Sequence, residues 1–413
     1  MKQSFFASPH DIGELAEGPV CAHNRNIKKT KTLKILDRER LIMNKKRLLD
    51  TFMELVKVGS ESGKEKEFQG FLKKKCEQLG MLAYEDHTGK KTGLSAGNLI
   101  CALEATADMQ PLMFCCHSDT VKPGSGIEPV AADGIVRSAG DTILAADDKA
   151  GVAVLLELAE TLRESGAAHD RIEFVFTVGE EIGLLGANAM DMNGFESKHC
   201  YVLDSAGPVG GIILSSPTMY TIDAVFKGRA AHAGVEPEKG VSAIEMAARA
   251  ITKMELGRLD DITTANIGTI SGGTATNIVA DEAKITAEVR SVCDEYSREV
   301  LHNMLDVMDE AAREMGGTVE CQYRKRSQGY SLEQSTAVVT LAARAFQAVG
   351  RTPDCQASGG ASDANVFNAS GIETANLAVG YENIHTIDEY IPIAELEKAA
   401  DVAYYLATNP LDG

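Results

Sequence analysis

The sequence predicts an α/β fold, a mixed and largely parallel sheet with helices on both sides, into which a smaller α+β domain is inserted. Two observations support this prediction. From residue 45 to about residue 203, short apolar runs alternate with helical patterns, which is typical of a helix-covered sheet. From about residue 216 to residue 326, apolar and polar residues alternate strictly, as in strands with one solvent-facing side. The first pattern then returns, so one domain interrupts the other.

The larger domain is expected to begin with two helices, because Leu48, Phe52 and Leu55 recur at helical spacing and the pattern repeats up to Gly80. Its strands are short and apolar enough to be buried on both faces. The expected elements, in chain order, are helices at 45–58 and 68–80, strands at 98–103 and 111–117, a helix at 149–162, strands at 172–178 and 201–203, a helix at 332–349, a strand near 373–377 and a last helix after residue 392.

The inserted domain is expected to contain four strands and two helices, in a ferredoxin-like arrangement with one open sheet face. Alternation marks one strand around 284–290 and another around 319–324. The helix residues expected to face inward are Val241, Ile244, Ala248 and Ile251 in the first helix and Leu301, Met304, Leu305 and Met308 in the second. These patterns assign 43–215 and 327–413 to the larger domain and 216–326 to the inserted one.

The segment before Met43 carries scattered charges and only a weak periodic pattern. It also lacks the apolar core of a secretory signal. We predict that residues 1–42 are an N-terminal extension that folding does not require, so deletion of this segment should leave activity intact.

Charge and composition exclude several classes of protein. The chain has 41 Lys+Arg against 60 Asp+Glu, a formal net charge of -19, which repels nucleic acid and anionic membrane surfaces. Hydrophobic residues at 44% and charged residues at 24% describe a globular protein, and no apolar run has membrane-spanning length. The nine cysteines follow no disulfide-framework spacing. We therefore expect reduced thiols and a cytoplasmic location, without a nucleic-acid or membrane partner.

Polar clusters follow the strands of the larger domain, at the ends where open parallel sheets place their ligand crevice. His117 closes one apolar run, and Asp119 follows two positions later on the same face. A metal-bound imidazole needs its second nitrogen held, and a carboxylate at this spacing suits that role. The alternative is a capped strand end with a hydrogen-bonded histidine.

Two acidic pairs occupy similar positions. Asp147 and Asp148 stand where a helix begins, so they suit a metal site or, alternatively, a helix cap. Glu180 and Glu181 follow a buried strand and point apart, so one carboxylate can bind metal while the other acts as a base. An exposed turn is the alternative for this pair.

Asp204 ends another apolar strand, and His385 precedes the terminal helix. Each alone suggests a cap or a surface residue. Together with His117, Asp147 and Glu181 they supply two histidines and three carboxylates, a donor set that Zn²⁺ accepts. Two metals sharing Asp147 is the arrangement that uses all of these donors.

Several short motifs also follow one another in a specific order. They are His117-Ser-Asp119, Ala-Asp147-Asp-Lys-Ala-Gly, Gly-Glu180-Glu181-Ile-Gly, Leu-Asp204, Gly-Arg-Ala-Ala-His232, Gly359-Gly-Ala-Ser-Asp363-Ala-Asn365 and His385. This set resembles the co-catalytic zinc peptidase family that contains peptidase T, carboxypeptidase G and the aminoacylases, with peptidase T as the nearest branch. The resemblance implies two Zn²⁺ ions, or Co²⁺ or Mn²⁺ in their place, bridged by Asp147. It assigns His117 and Asp204 to one ion and Glu181 and His385 to the other.

The same resemblance implies roles for residues beyond the ligands. Asp119 would orient His117, and Glu180 would be the catalytic base. The inserted domain would make a homodimer and carry the substrate-binding residues His232, Asn277 and Arg290. His232 would polarise the scissile carbonyl, often across the dimer interface. From the residues alone, a turn role for His232 and a solvated role for Arg290 stay open.

These features predict a metal-dependent exopeptidase that hydrolyses short peptides, of the tripeptide aminopeptidase type. A hydroxide held by the two zinc ions would attack the amide carbonyl, while Glu180 accepts and returns the proton. An N-acyl or N-carbamoyl amino acid amidohydrolase is the alternative within this chemistry, because the metal site does not choose the acyl group. A catalytically silent binding protein of the same fold is the alternative outside it.

Overall fold

The structure is a computed structural model, and it describes residues 43–411. The predicted extension at residues 1–42 lies outside the described residues. All described residues belong to one compact unit. None of the helices in this part of the chain is both long enough and apolar enough to cross a membrane.

Helices and strands alternate through most of the described chain. The helices are α1 (Lys45–Leu55), α2 (Lys66–Gln78), α3 (Thr88–Thr92), α4 (Ala146–Ser165), α5 (Leu185–Ala189), α6 (Ala243–Lys253), α7 (Asp294–Glu314), α8 (Ala337–Ala348), α9 (Asp363–Ala369) and α10 (Ile393–Thr408). The strands are β1 (Leu82–Glu85), β2 (Leu99–Leu103), β3 (Leu112–His117), β4 (Pro129–Ala132), β5 (Ile135–Ser138), β6 (Ile172–Thr177), β7 (His199–Ser205), β8 (Gly211–Ser216), β9 (Thr218–Lys227), β10 (Gly257–Asp260), β11 (Thr263–Gly272), β12 (Glu282–Ser291), β13 (Thr318–Ser327), β14 (Tyr330–Ser331), β15 (Asp354–Ala357), β16 (Glu373–Ala378) and β17 (Tyr390–Pro392).

The main sheet has nine strands among the described residues, in the order β1-β2-β6-β3-β7-β16-β8-β14, with β15 beside β8. Its four central strands, β6, β3, β7 and β16, are parallel. The flanking pairs are antiparallel, apart from β15 with β8. The sheet is therefore mixed with a parallel centre, which confirms the predicted fold class.

The central strands point their residues alternately to two helix-covered faces. Phe114 and Cys116 of β3 join a large core with α1, α2, α4, α8 and α10. Met113 and Cys115 join a smaller core with α9 on the opposite face. Every residue of β3 is buried because both faces are covered, as its continuous apolar run predicted.

The parallel strands end at one edge of the main sheet. His117 at the end of β3 pairs with Thr177 at the end of β6. Cys115 pairs with Val202 of β7, which places Asp204 level with His117. A separate three-stranded sheet, β17-β5-β4, holds the chain after residue 389 against the segment that precedes α4. The loops that follow these strands therefore meet at the same edge.

The second large sheet lies within residues 218–327, which we call the insert. Its strand order is β10-β11-β12-β9-β13, antiparallel throughout. Helices α6 and α7 pack against it and share a core that is separate from the cores of the main sheet. The sheet has five strands rather than the expected four, since the short β10 carries too few residues to form a readable pattern.

The inward face of α6 differs from the sequence prediction. Ile244 and Ala248 are exposed, and Val241 and Ile251 are only partly buried. The buried residues are Ala243, Met246, Ala247 and Ala250. Small side chains let α6 approach its neighbours closely, so packing selects the alanine face rather than the face with the larger apolar residues. The prediction for α7 is confirmed at Leu301, Met304 and Met308.

Candidate metal centre

Five side chains meet at the strand-end edge of the main sheet and form two groups. His117, Asp147 and Asp204 make up the first group, and Asp147, Glu181 and His385 make up the second. Within each group the potential ligand atoms all lie within 4.8 Å of one another. Asp147 belongs to both groups, so the five residues predicted from the sequence as ligands lie together.

The two carboxylate oxygens of Asp147 face different histidines. Its Oδ1 lies 2.8 Å from Nε2 of His117, and its Oδ2 lies 3.4 Å from Nε2 of His385. Asp204 Oδ1 lies 3.5 Å from His117 Nε2, and Glu181 Oε2 lies 3.0 Å from His385 Nε2. A central carboxylate with a histidine and a second carboxylate on each side is an arrangement suited to two cations.

The local backbone explains how distant residues reach this site. His117 is the last residue of β3, and Asp204 is the next-to-last residue of β7. Asp147 stands at the start of α4, where the backbone is not yet helical (φ -80°, ψ 102°). His385 lies in a loop and has a left-handed backbone, with φ 62°. The two strands and two loops converge because the parallel strands end at the same edge.

Asp119 holds His117 through its backbone. The Nδ1 atom of His117 lies 2.9 Å from the carbonyl oxygen of Asp119 and 3.7 Å from the Asp119 carboxylate. The carboxylate instead accepts hydrogen bonds from the backbone N–H groups of Glu180, at 2.9 Å, and Glu181, at 3.3 Å. It also accepts one from the hydroxyl of Ser62. Asp119 therefore positions both the first histidine and the glutamate turn.

Negative charge dominates the site, and the pKa values reflect that excess. Burial, together with the charges of Asp147 and Glu181, raises the pKa of Asp204 to about 7, although His117 opposes the rise. Hydrogen bonds with Asp147 and Glu181 raise the pKa of His385 to about 10. A buried group of carboxylates is stabilised by cations. Imidazole nitrogens and carboxylate oxygens are also a donor set that divalent metals such as Zn²⁺ accept, so the residues fit a dinuclear metal.

Glu180 lies beside the ligands and is only 9% exposed. Burial raises its pKa well above the usual range, and the Asp204, Asp363 and Glu181 carboxylates raise it further, while His117 opposes them. A carboxylate in such surroundings readily takes up a proton. Glu180 also lines the cavity described next, so it is placed to exchange that proton with a bound molecule.

A cavity of about 410 Å³ opens over the five potential ligands and Glu180. Ile213, Tyr330 and Gln356 also line it. Residues 360–362, from the glycine-rich motif singled out in the sequence, form part of the rim. The volume lies within the range of typical small-ligand sites.

The three residues predicted to bind substrate from the insert do not line this cavity. His232 and Asn277 are both exposed, and the N–H of Ala233 donates to the carbonyl of Asn277, which keeps the two segments together. Arg290 donates to the carbonyl of Gly359 at 2.9 Å and also pairs with Glu288. Arg290 therefore contacts the residue just before the rim, whereas His232 and Asn277 remain apart from the cavity within one chain.

Two residues that support Asp204 were missed in the sequence. The hydroxyl of Tyr381 donates to the Asp204 carboxylate at 3.0 Å. The side chain of Asn376 accepts from the backbone N–H of Asp204 and donates to its carbonyl, at 3.1 and 2.8 Å. For Asn376 the available signal was an asparagine within the buried strand β16, because a buried amide needs partners.

Asp148 belongs to neither group of potential ligands and takes the helix-cap role instead. Its carboxylate accepts from the N–H of Gly151, as a helix cap does, and from the N–H of His117, each at 3.2 Å. The next residue, Lys149, is fully buried and was not assigned a role. Its ammonium donates to the carbonyl of Val58 at 2.6 Å and lies over the ring of Phe68. Both residues fix the start of α4 beside the site.

Comparisons with known proteins agree with this geometry. Residues 113–409 match the model of Peptidase family M20/M25/M40. The protein YqjE of Bacillus subtilis (strain 168) is 48% identical over 361 residues, which cover 87% of this chain and 97% of YqjE.

Solved structures show the same likeness. Aminopeptidase PepT from Bacillus cereus ATCC 10987 has a TM-score of 0.85 at 48% identity, over 89% of this chain and 99% of that protein. A tripeptidase from Staphylococcus aureus subsp. aureus Mu50 has a TM-score of 0.87 at 40% identity, over 89% of this chain and 98% of that protein. The family model spans most of the chain and these relatives span it almost in full, so the chain belongs to peptidase family M20/M25/M40.

Proposed function

We propose that this protein is a metal-dependent aminopeptidase that removes the N-terminal residue from short peptides, tripeptides foremost. The observation that carries the proposal is the shared position of Asp147 between two histidine–carboxylate groups, next to the buried Glu180. Membership of a peptidase family, and similarity to an aminopeptidase and a tripeptidase, support the same activity.

Two divalent cations would be held by the five clustered residues. His117 and Asp204 would bind one cation, Glu181 and His385 would bind the other, and Asp147 would contact both. We propose zinc as the metal, with cobalt or manganese as alternatives, because nitrogen and oxygen donors suit all three. Bound there, the cations would lower the pKa of a water molecule and polarise the peptide carbonyl.

Glu180 would carry the proton during the reaction. Its carboxylate would take a proton from the attacking water and give it to the departing amine. Burial of the Glu180 carboxylate disfavours its charged form, which favours retention of the proton between these two steps. Because Asp119 holds the backbone N–H of Glu180, the base would keep a fixed distance from the ligands.

The substrate would lie in the cavity over the ligands, whose volume of about 410 Å³ suits a short peptide. Arg290, which already contacts Gly359 beside the rim, would bind the C-terminal part of the peptide. The insert would act as a lid that excludes water, with residues 43–215 and 327–413 as the catalytic domain.

A homodimer formed through the insert would explain why His232 and Asn277 lie outside the cavity. Among the described strands, residues 266–272 of β11 pair only with β12, so the other edge is free to pair with a second copy. Two large apolar side chains, Ile244 and Ile270, are exposed at 44% and 52% in this part of the insert. In such a dimer, His232 would reach the active site of the partner subunit and stabilise the oxyanion.

A cytoplasmic location fits this function. The eight cysteines among the described residues are all free, and five of them are buried. Free thiols persist in reducing compartments.

A substrate panel tests the proposal most simply. The purified protein would be dialysed against a chelator, reloaded with zinc, and assayed on a free tripeptide, its N-acetylated form, a dipeptide and an N-acetyl amino acid. We expect release of the N-terminal residue from the free tripeptide, loss of activity on chelation and recovery with zinc. Faster cleavage of the N-acetyl amino acid than of the tripeptide would overturn the proposal in favour of an amidohydrolase.

A further inference from the structure

A buried carboxylate outside the ligand set lies beneath the site. Glu389 is 1% exposed. Its Oε2 accepts the backbone N–H groups of Leu144 and Ala145, at 2.8 and 2.7 Å, and its Oε1 accepts that of Asp147 at 2.9 Å. Three N–H groups donate to this one buried carboxylate, so its position is strongly determined.

The three N–H groups belong to a segment that regular structure does not hold. Ala145 has a left-handed backbone with φ 63°, and Asp147 is not helical although it stands at the start of α4. A non-glycine residue persists in such a conformation only where its surroundings impose it. The carboxylate of Glu389 supplies that restraint, since it bonds residues on both sides of the irregular position.

Glu389 also belongs to the segment that carries His385. Residues 382 and 390 pair across the base of this loop, with N···O distances of 2.9 and 3.2 Å between their backbones. The next residues form β17, which pairs with β5. One side chain therefore joins the segment of Asp147 to the loop of His385, and both residues belong to the second group of potential ligands.

We propose that Glu389 is a positioning residue that sets the orientation of Asp147, so that its two oxygens face two different cations. This inference rests on the proposed metal function. Binding of the cation at Asp147, Glu181 and His385 should depend on Glu389 most. The other cation would also be bound by His117 and Asp204, which strands β3 and β7 position independently of Glu389.

Metal titration of the apoprotein tests the proposal without reference to turnover. Wild type, Glu389→Gln and Glu389→Asp would be titrated with zinc by calorimetry and with cobalt by visible absorption. In Glu389→Gln, the side-chain NH2 group would face a backbone N–H that in the wild type donates to a carboxylate oxygen, so a hydrogen bond would be lost. We expect one of the two cations to bind about 10- to 100-fold more weakly and the other to be little changed. Glu389→Asp keeps the charge but is shorter, so it should show a smaller loss at the same cation.

Glu173→Gln is the matched control. Glu173 is also a buried carboxylate, and it accepts the backbone N–H groups of Glu196 and Ser197 at 3.2 and 3.0 Å. It lies near the start of β6, at the opposite end of the strand from the site. Its substitution should lower thermal stability and leave both cation affinities unchanged.

The outcomes separate the two proposals. Two wild-type cations with unchanged affinity in folded Glu389→Gln and Glu389→Asp would overturn the role of Glu389 alone. Equal weakening by Glu173→Gln would also overturn it, because general destabilisation would then explain the loss. A wild-type protein that binds no cation would instead overturn the metal function itself. If Glu389→Gln does not fold, the titration of Glu389→Asp decides.

Discussion

The two halves of the candidate metal centre are built differently. In the first half, His117 is 2% exposed and Asp204 is 10% exposed, and both stand on buried strands with partners of their own. In the second half, Glu181 is 7% exposed, but His385 is 49% exposed and lies in a loop with a left-handed backbone. Rigid, buried ligands lose little freedom when a cation binds, whereas loop ligands must be held by other residues. We therefore expect the first half to bind its cation tightly and the second half to exchange its cation more readily.

Glu180 stands beside both halves and belongs to neither ligand group, so its loss separates chemistry from metal binding. We expect Glu180→Ala to lower kcat by about 10²- to 10⁴-fold, because proton transfer is lost. Metal content, measured by elemental analysis, should stay at the wild-type value.

Glu181→Gln is the contrasting variant, because it should lose the second cation as well as activity. Near-normal turnover of Glu180→Ala with both cations bound would show that another group acts as the base.

Removal of one histidine from each half compares the halves directly. In His117→Ala, the first cation should bind more than ~100-fold more weakly, because a ligand itself is removed. Loss of a residue that only hydrogen-bonds to a ligand costs up to ~100-fold in metal affinity. It should also lower Tm, because bound metal stabilises the folded state. His385→Ala should release the second cation with a smaller change in Tm.

His199→Ala serves as the control, since His199 begins β7, the strand whose far end carries Asp204. Zinc titration followed by thermal melting measures all three variants. Equal losses of Tm in His117→Ala and His385→Ala would contradict the proposed difference between the halves.

A mixing experiment tests whether the insert completes the active site of a second copy. Glu180→Ala and His232→Ala should each be nearly inactive alone. An equal mixture, unfolded and refolded together, should regain about a quarter of wild-type activity, since about half of the dimers then contain one intact site. Activity that stays at the sum of the two variants would mean that His232 acts within its own chain or not at all.

The smallest expected effect concerns a partner of the rigid half. Tyr381→Phe removes the hydroxyl that donates to Asp204, and it should lower the affinity for the first cation by up to about 10-fold. Tyr201→Phe is the control, because the buried hydroxyl of Tyr201 donates to the carbonyl of Val338 at 2.9 Å, away from the site. Both changes cost about 1 kcal/mol of stability, from the lost hydrogen bond, and calorimetry on the apoproteins measures this. A loss of zinc affinity in both variants would rule out a specific role for Tyr381.

The same contrast between strands and loops explains what the sequence could predict. Continuous apolar runs that end in acidic or histidine residues, as at His117 and Asp204, predicted both the parallel strands and the ligand edge. Short or edge elements such as β10 left no readable pattern. The prediction of the inward face of α6 was wrong because alanine packing depends on how closely a neighbouring element approaches. The sequence of α6 alone does not contain that information.

Supporting residues were harder to predict than ligands. Glu389 contacts Ala145 across 244 positions of sequence, and Tyr381 contacts Asp204 across 177. Neither residue carries a local pattern that indicates its partner. Their roles follow from the meeting of loops, which depends on the completed sheet.

Anomalous diffraction at the zinc absorption edge, on crystals of the zinc-loaded protein, tests the central claim that Asp147 is shared by two cations. We expect two peaks roughly 3.5–4 Å apart, one between His117 and Asp204 and one between Glu181 and His385, with one Asp147 oxygen toward each. A single peak, or peaks that Asp147 does not contact, would contradict this account.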